Sequence, residues 1–558
     1  MVTFLGLDLS TQQLKAVVLS YPSISIVHES AVHFDRDLPH YSTTNGSILG
    51  PAHGQSRSPT LMWIEAVDLI IEKMKKAGVD FAQIKAIGGA GQQHGSVYWS
   101  QFPDIDAQKS LKDNLSAAFT VALSPIWQDS STTAECQALE VAVGGPQSMA
   151  DISGSRAYER FTASQIKKLY DTQPDVYSSS TRISLVSSFL PSLFLGHVAP
   201  IEISDASGMN LMDVLSCKWD DRLLDACAPN LRDKLGPEPV PGGTNLGTVS
   251  DYWVQRHGFS ADCIITPFTG DNPSTVVALS SFPGDALLSL GTSTTFLLSI
   301  PPSSNPPKRF TTSHLLAHPT NAPSGQIAML CYKNGALARE SIRDQYAEKD
   351  WNKFNQLVES VPVGCNGFLG MYYPLTEIIP LGAHGNYFFN TSTGEQVEQK
   401  DIPENLHPRL ILESQFLSIK SRIEAILPSS TSPSHGLHRL VLTGGSSANP
   451  VIQQIAADIF GIEVFVADEG GTKEAGALGG AGLAMWGWWI TQVQVPKPDA
   501  ADDGLSFEAM LRSVKQGSPV HDLIPLKLVA SPSASNTVAY EEMVPVYGRS
   551  EGQLVGRE

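Results

Sequence analysis

The chain has 558 residues, more than one hydrophobic core organises, so two domains of roughly 250 residues each are expected. Its formal charge of -18 at pH 7 argues against nucleic acid or an anionic membrane as partner. A composition of 42% hydrophobic and 17% charged residues excludes extended disorder.

Residues 4–19, FLGLDLSTQQLKAVVL, predict a hairpin of two apolar strands around a polar turn. Asp8 closes the first arm, Ser10, Thr11 and Gln12 form the turn, and Lys15 follows it. The same stretch lacks a basic n-region and carries Asp8 within its apolar run, which disfavours a secretory signal and makes the cytosol the default compartment. Six cysteines without CxxC spacing agree, as reduced thiols rather than a disulfide or zinc framework. Next, LMWIEAVDLIIEKMKKAG has apolar residues at helical spacing and ends on Gly78. In IKAIGGAGQQHGSVYWS a strand enters a bend at Gly88–Gly91 and leaves as a second strand. SSTTAECQALEVAVGG predicts a helix capped by Ser130 or Ser131 and stopped by Gly144 and Gly145. CIITPFTGDNPS predicts a buried strand ending at Gly270 and Asp271.

The domain boundary is expected near 268, giving domains 1–268 and 269–545 and a loosely held tail, 546–558. Residues 286–300, ALLSLGTSTTFLLSI, repeat the opening hairpin, with Gly291, Thr292 and Ser293 in the turn. The strand LHRLVLTGG then runs into Gly444 and Gly445, and SSANPVIQQIAADIFG starts a capped helix. AGALGGAGLAMWGWWI, 475–490, is shorter than the ~20 residues of a membrane span and predicts a close-packed buried helix. Pro- and Ser-rich stretches at 301–308 and 428–434 predict exposed loops.

Two matching hairpins in one chain suggest duplicated halves, each offering hydroxyls and backbone N–H groups to one polyanion, the triphosphate of ATP. Phosphoryl transfer to an alcohol requires phosphate donors, a metal and a carboxylate that accepts the hydroxyl proton. Asp8 is the candidate for Mg²⁺, and Thr11, Gln12, Lys15, Gly291, Thr292 and Ser293 are candidates for the phosphates. Asp271, ending a buried strand just before the second hairpin, is the candidate base; alone, it is equally an Asp that caps a turn. His94 either donates to a sugar hydroxyl or is a core histidine bonded to backbone. Arg160 either bonds a polyol or sits in a structural ion pair. Trp351 either stacks on a base or fills a groove, while Gly444 and Gly445 let adenosine lie against the backbone.

In order along the chain, GQQHG, WQDSSTTAE, FTGDNP, SLGTS and LTGGSSAN resemble the FGGY family of carbohydrate kinases, closest to its eukaryotic xylulose kinase branch. The resemblance runs from about residue 4 to about 490. It implies an α/β fold of two ribonuclease-H-like domains, of the actin and hexokinase type, with a central cleft. The implied activity is ATP- and Mg²⁺-dependent phosphorylation of D-xylulose to D-xylulose 5-phosphate, which feeds D-xylose catabolism into the pentose phosphate pathway. By the same resemblance His94, Arg160, Asp271 and Asn272 contact the ketose, Asp271 is the general base, and Trp351, Gly444, Gly445 and Asn449 hold the nucleotide. Lys15 departs from the arginine of the family's glycerol kinases, and Gln93 from the methionine of its bacterial xylulose kinases.

With the boundary at 268, His94 and Arg160 fall on one half and Asp271 and Asn272 on the other, so the ketose is expected to bridge the halves and close them. The rival readings are a kinase for another ketose, such as D-ribulose or L-xylulose, and an actin-like ATPase with protein partners.

Overall fold

In the computed structural model, residues 2–280, 282–303, 305–427, 436–467, 473–493, 504–514 and 522–555 are described. The expected loop at 428–434 lies outside the described residues. Within 301–308 the described residues carry no helix or strand, as expected of a loop.

The chain divides into two compact units. The first comprises Met1–Ser281, Leu315–Gln326 and Lys473–Ile524; the second comprises Phe282–His314, Ile327–Thr472 and Pro525–Glu558. This division departs from the boundary expected near 268. The strand that ends at Gly270 pairs with the first unit's sheet, and the helix after it packs in the same unit, so the chain leaves that unit only beyond this helix.

The first unit is built on β1 (Val2–Leu9), β2 (Gln13–Tyr21), β3 (Ser25–His33), β4 (Ile84–Gly91), β5 (Ile264–Ile265) and β6 (Thr269–Gly270). Their order is β5-β4-β1-β2-β3, with β6 also paired to β4. β1 and β2 form the expected antiparallel hairpin, while β4, β5 and β6 run parallel. Helix α1 (Thr60–Lys76) buries Trp63, Val67, Ile70, Ile71 and Met74, the face set by its 3.6-residue apolar spacing. The helix expected from 130–145 spans Thr133–Ala142; its N-cap position is Thr132 rather than Ser130 or Ser131, because Ser131 turns back to bond Asp129.

The glycine-rich segment is a helix, Ala475–Gln492, lying on β1 and β4. Its small residues are a contact requirement. A Cβ added at Gly480 would lie 2.3 Å from the Gly89 Cα, and one at Gly6 would lie 1.9 Å from the Ala477 carbonyl oxygen. No described helix is long and apolar enough to cross a membrane.

The second unit repeats the plan. The hairpin β7 (Asp285–Leu290) and β8 (Thr294–Ser299) lies in the order β9-β8-β7-β10-β11-β12, with β9 (Gln326–Tyr332), β10 (Arg439–Thr443), β11 (Glu463–Ala467) and β12 (Leu526–Ala530). As in the first unit, the hairpin's first arm has a parallel neighbour, here β10. Ser289 stands opposite Thr295 and beside Thr443, just as Asp8 stands opposite Lys15 and beside Ala90.

The described part of the tail expected to be loose, 546–555, is helical, and 556–558 lie outside the described residues. Residues Ala534–Val555 form one helix, with Tyr547, Ser550 and Glu551 at most 5% exposed. Glu551 pairs with Arg422 of the helix His407–Ile426 and accepts from Ser418 Oγ at 3.3 Å. A charged pair and a buried tyrosine at the end of the chain outweigh the composition that suggested fraying. Glu551→Ala leaves the Arg422 guanidinium with the neutral Thr312 hydroxyl but without its carboxylate; a charged hydrogen bond contributes about 1.5–3 kcal/mol, so a fall of several degrees in Tm is expected in thermal unfolding.

Candidate active site

In the first unit the carboxyl ends of β1, β4 and β6 release Asp8, the segment Gln92–His94, and Asp271, where open α/β sheets commonly gather ligand groups. Asp8 Oδ2 accepts from Ser10 Oγ at 2.7 Å, whereas Oδ1 is buried without a partner. Burial pushes the Asp8 carboxyl above the ordinary value of 3.8, partly offset by Ser10 and Lys15. Gly476 leaves the room, since a Cβ there would come within 3.0 Å of Asp8 Oδ2. An orphaned carboxyl oxygen at the carboxyl end of the strand is the kind of oxygen ligand that would hold Mg²⁺. Among the described residues no group of three or more His, Cys, Asp or Glu is positioned to hold a metal.

The turn residues stand as follows. Thr11 Oγ1 accepts from the Trp127 indole at 2.8 Å, which leaves the threonine hydroxyl proton to donate elsewhere, and Gln12 is exposed. Lys15 bonds the Lys473 carbonyl and lies 3.8 Å from Glu474, so its ammonium is tied to the start of the glycine-rich helix.

Asp271 is the first residue of the helix Asp271–Leu279. Its Oδ1 accepts from the Asn272 backbone N–H at 2.9 Å. Burial, and after it the charge of Asp8, pushes its carboxyl up to about 7. Asn272 donates through Nδ2 to Gln93 Oε1 at 2.9 Å, which ties the GDN segment to GQQHG.

His94 holds a positive φ of 71°, and its ring stacks on Phe161 with centroids 4.4 Å apart. Nδ1 lies 3.0 Å from the Gly208 carbonyl. Burial, the nearby Arg160 charge and no carboxylate partner push the imidazole down to about 3, so it is neutral. A neutral ring that donates from Nδ1 to a carbonyl keeps Nε2 as an acceptor. The bond to the Gly208 carbonyl fits the alternative of a histidine bonded to backbone, and it leaves Nε2 able to accept from a hydroxyl rather than donate to one. The Arg160 guanidinium lies 4.8 Å from the Tyr158 ring and 5.3 Å from that of Phe161. His94, Arg160, Asp271 and Asn272 all belong to the first unit. The expectation that a ketose bridges the halves through these four residues fails, because it rested on a boundary before Asp271.

The remaining candidates belong to the second unit. Thr292 and Ser293 are exposed at the turn, and Gly291 O accepts from Ala336 N at 2.9 Å. Gly444 has φ +84°, and its Cβ position would lie 2.8 Å from Leu290 C, while Gly445 faces open space. Asn449 caps the helix Pro450–Phe460, accepting from Val451 N at 2.9 Å, and donates to Asn355 Oδ1 at 2.9 Å. Asn355 belongs to the helix Trp351–Ser360, so the Trp351 and Asn449 helices are joined at this point. The Trp351 ring carries the Arg343 guanidinium at 4.8 Å.

Sequence reasoning missed two groups. Arg339 is fully buried and donates to neutral groups, Gln415 Oε1 at 2.8 Å and Ser446 Oγ at 3.2 Å, the latter in the residue that follows Gly445. In the first unit Glu202 and Asp205 are buried carboxyls next to the Asp271 strand. Thr269 Oγ1 donates to Glu202 Oε2 at 2.6 Å, and Ser187 Oγ to Asp205 Oδ2 at 2.5 Å. Neither lies in a glycine-rich turn, the signal that led to the other candidates.

The family model for the N-terminal domain of the FGGY family of carbohydrate kinases matches residues 3–278, and that for its C-terminal domain matches 286–488. The xylulose kinase of Rattus norvegicus is 40% identical over 564 residues, covering 99% of this chain and 97% of the relative. Xylulose kinase 2 of Arabidopsis thaliana is 43% identical over 501 residues, 87% of each. Among solved structures, one titled a xyloylose kinase from Brucella ovis has a TM-score of 0.75 at 19% identity and 100% coverage of both chains. A Plasmodium falciparum glycerol kinase with ADP has a TM-score of 0.72 at 14% identity, covering 99% of this chain and 98% of the other. At such identities these structures bear on the fold alone, an α/β arrangement of two domains.

Proposed function

Since the chain belongs to the FGGY family of carbohydrate kinases, we propose that it transfers the γ-phosphoryl group of ATP to the C5 hydroxyl of D-xylulose, giving D-xylulose 5-phosphate and ADP. The observation that carries this reading is the gathering of His94, Arg160, Asp271 and Asn272 around one set of strand ends in the first unit. The substrate is supported by the relatives named xylulose kinase at 39–43% identity.

In this reading Asp271 accepts the hydroxyl proton as the sugar oxygen attacks the γ phosphorus. A base whose proton affinity lies near neutrality suits that task. Asn272, held by Gln93, and the Arg160 guanidinium donate to sugar oxygens, while His94 Nε2 accepts from a hydroxyl. Ser10 and the unpaired Oδ1 of Asp8 suit Asp8 to hold Mg²⁺, which when bound neutralises phosphate charge. Thr11, Gln12 and Lys15 belong to the phosphate side of the first unit. In the second unit, Gly291, Thr292 and Ser293 offer phosphate donors, and Trp351, Gly444, Gly445 and Asn449 offer a surface for adenosine. The reading places the enzyme in the cytosol, where thiols such as its buried free cysteines stay reduced.

His94→Ala is expected to raise the Kd for D-xylulose by about 10- to 100-fold, the worth of one buried hydrogen bond and its stranded partner. Calorimetric titration checks this, and the affinity for ATP alone should not change. The function is tested by following ADP release with D-xylulose, D-ribulose, L-xylulose, glycerol and no sugar. The highest kcat/KM is expected for D-xylulose. A preference for another ketose moves the substrate, and sugar-independent ADP release points instead to an ATPase.

A further inference from the structure

One segment, residues 202–210, reaches every sugar-facing element of the first unit. Glu202 takes the Thr269 hydroxyl on the strand leading to Asp271, and the Gly208 carbonyl takes Nδ1 of His94. Asn210 Nδ2 donates to Ser153 Oγ at 2.9 Å and to the Ser155 carbonyl at 3.1 Å, at the start of the loop that carries Arg160. Asp205 stands at its centre, 1% exposed. A Cβ on Gly270 would lie 2.7 Å from Asp205 Oδ1 and 2.5 Å from Gln93 Cγ, so this carboxyl and the Gln93 side chain press on the residue immediately before Asp271. Two complementary buried atoms face each other there, neither with another partner: Asp205 Oδ1, an acceptor, and Gln93 Nε2, a donor whose amide pulls the Asp205 carboxyl down.

We propose that Asp205 is a positioning residue for phosphoryl transfer, a neutral carboxyl that acts through Gln93 and Gly270 to fix Asn272 and Asp271 against the sugar. Asp205 lies close enough to two other carboxyls, Glu202 and Asp271, to feel both charges, and the groups that pull it the other way are the neutral Ser187 and Gln93. Buried like charges cannot all ionise. Burial, with Glu202 and Asp271 adding to it, pushes Asp205 up to about 8, and burial pushes Glu202 up to about 7. As a neutral acid, Asp205 presents a carbonyl at Oδ1 to the Gln93 amide, and its 2.5 Å contact with Ser187 can run from the carboxyl O–H to the serine oxygen. An asparagine reproduces both roles, whereas leucine reproduces neither.

The inference rests on the kinase reading, so one of its tests requires no activity. A carboxyl raised from 3.8 to about 8 on folding retains its proton in the native state while the unfolded chain loses it, so stability falls as pH rises from about 4 to about 8. Asp205→Asn should therefore have a flatter Tm profile than the wild type over this window. In kinetics, Asp205→Leu should lose about 10- to 100-fold in kcat through misplacement of the base. Asp205→Asn should stay within about threefold of wild type at pH 7 and lack the wild-type fall in kcat above pH 8. Should Asp205→Leu not fold, the asparagine variant decides alone. An Asp205→Asn enzyme as slow as the leucine variant, or one that keeps the wild-type Tm slope and alkaline limb, overturns the proposal. A wild type without sugar-dependent turnover counts against the kinase reading instead, and the Tm comparison still decides whether Asp205 is neutral.

Discussion

Asp271→Asn is expected to lower sugar-dependent kcat by about 10² to 10⁴ while the protein stays folded. An amide oxygen can still accept from the Asn272 N–H, so the start of the helix Asp271–Leu279 keeps its geometry, but the amide cannot take up the hydroxyl proton. The expected effect on stability has the opposite sign. The Asp271 carboxyl is buried beside Asp8 and raised to about 7, so above that pH its charge costs folding free energy that the neutral amide does not. Loss of turnover with an unchanged or higher Tm at pH 8 would mark a group kept for chemistry rather than for the fold. Near wild-type kcat on D-xylulose removes Asp271 from the role of base.

For Asp8→Ala the expected result is a loss of about 10² to 10³ in kcat and a weakened dependence on Mg²⁺, with D-xylulose still bound in the absence of ATP. Asp8 Oδ1 is buried and unpaired, Oδ2 is taken by Ser10, and none of the hydrogen bonds found for His94 and Asn272 runs through Asp8. Calorimetry with the sugar alone and kinetics across a Mg²⁺ titration separate the two effects. Loss of sugar binding with an unaltered metal dependence contradicts the assignment of Asp8 to the metal.

Both hairpins, the strand ending at Thr443 and the buried glycine-rich helix were legible because each pairs a strand-length apolar run with a turn signal, or small residues at helical spacing, whereas the strand expected up to Gly270 is two short ones, Ile264–Ile265 and Thr269–Gly270, and the bend expected at Gly88–Gly91 is strand, with the turn at Gln93 and His94. Asp8 and Asp271 were found because they end such strands. The boundary was not, since a contact made by two-residue strands such as Thr269–Gly270 leaves no periodic trace, and Asp271 was accordingly assigned to the wrong half. The final helix was hidden by Pro545 and small polar residues, while its anchor Glu551 acts through partners more than 100 residues away. Asp205 and Glu202 are distinguished by burial without an opposite charge, and Arg339 by burial against neutral hydrogen-bond partners, properties of the folded chain that spacing does not encode. The direction of the His94 hydrogen bond likewise depends on the Gly208 carbonyl, 114 residues downstream.

The most direct test of the central claim is phosphorus NMR of a reaction containing the protein, D-xylulose, ATP and Mg²⁺. The account predicts one new phosphomonoester, coupled to the C5 protons of the ketose and equimolar with the ADP formed. Inorganic phosphate in place of the ester, or unconsumed ATP, would contradict it.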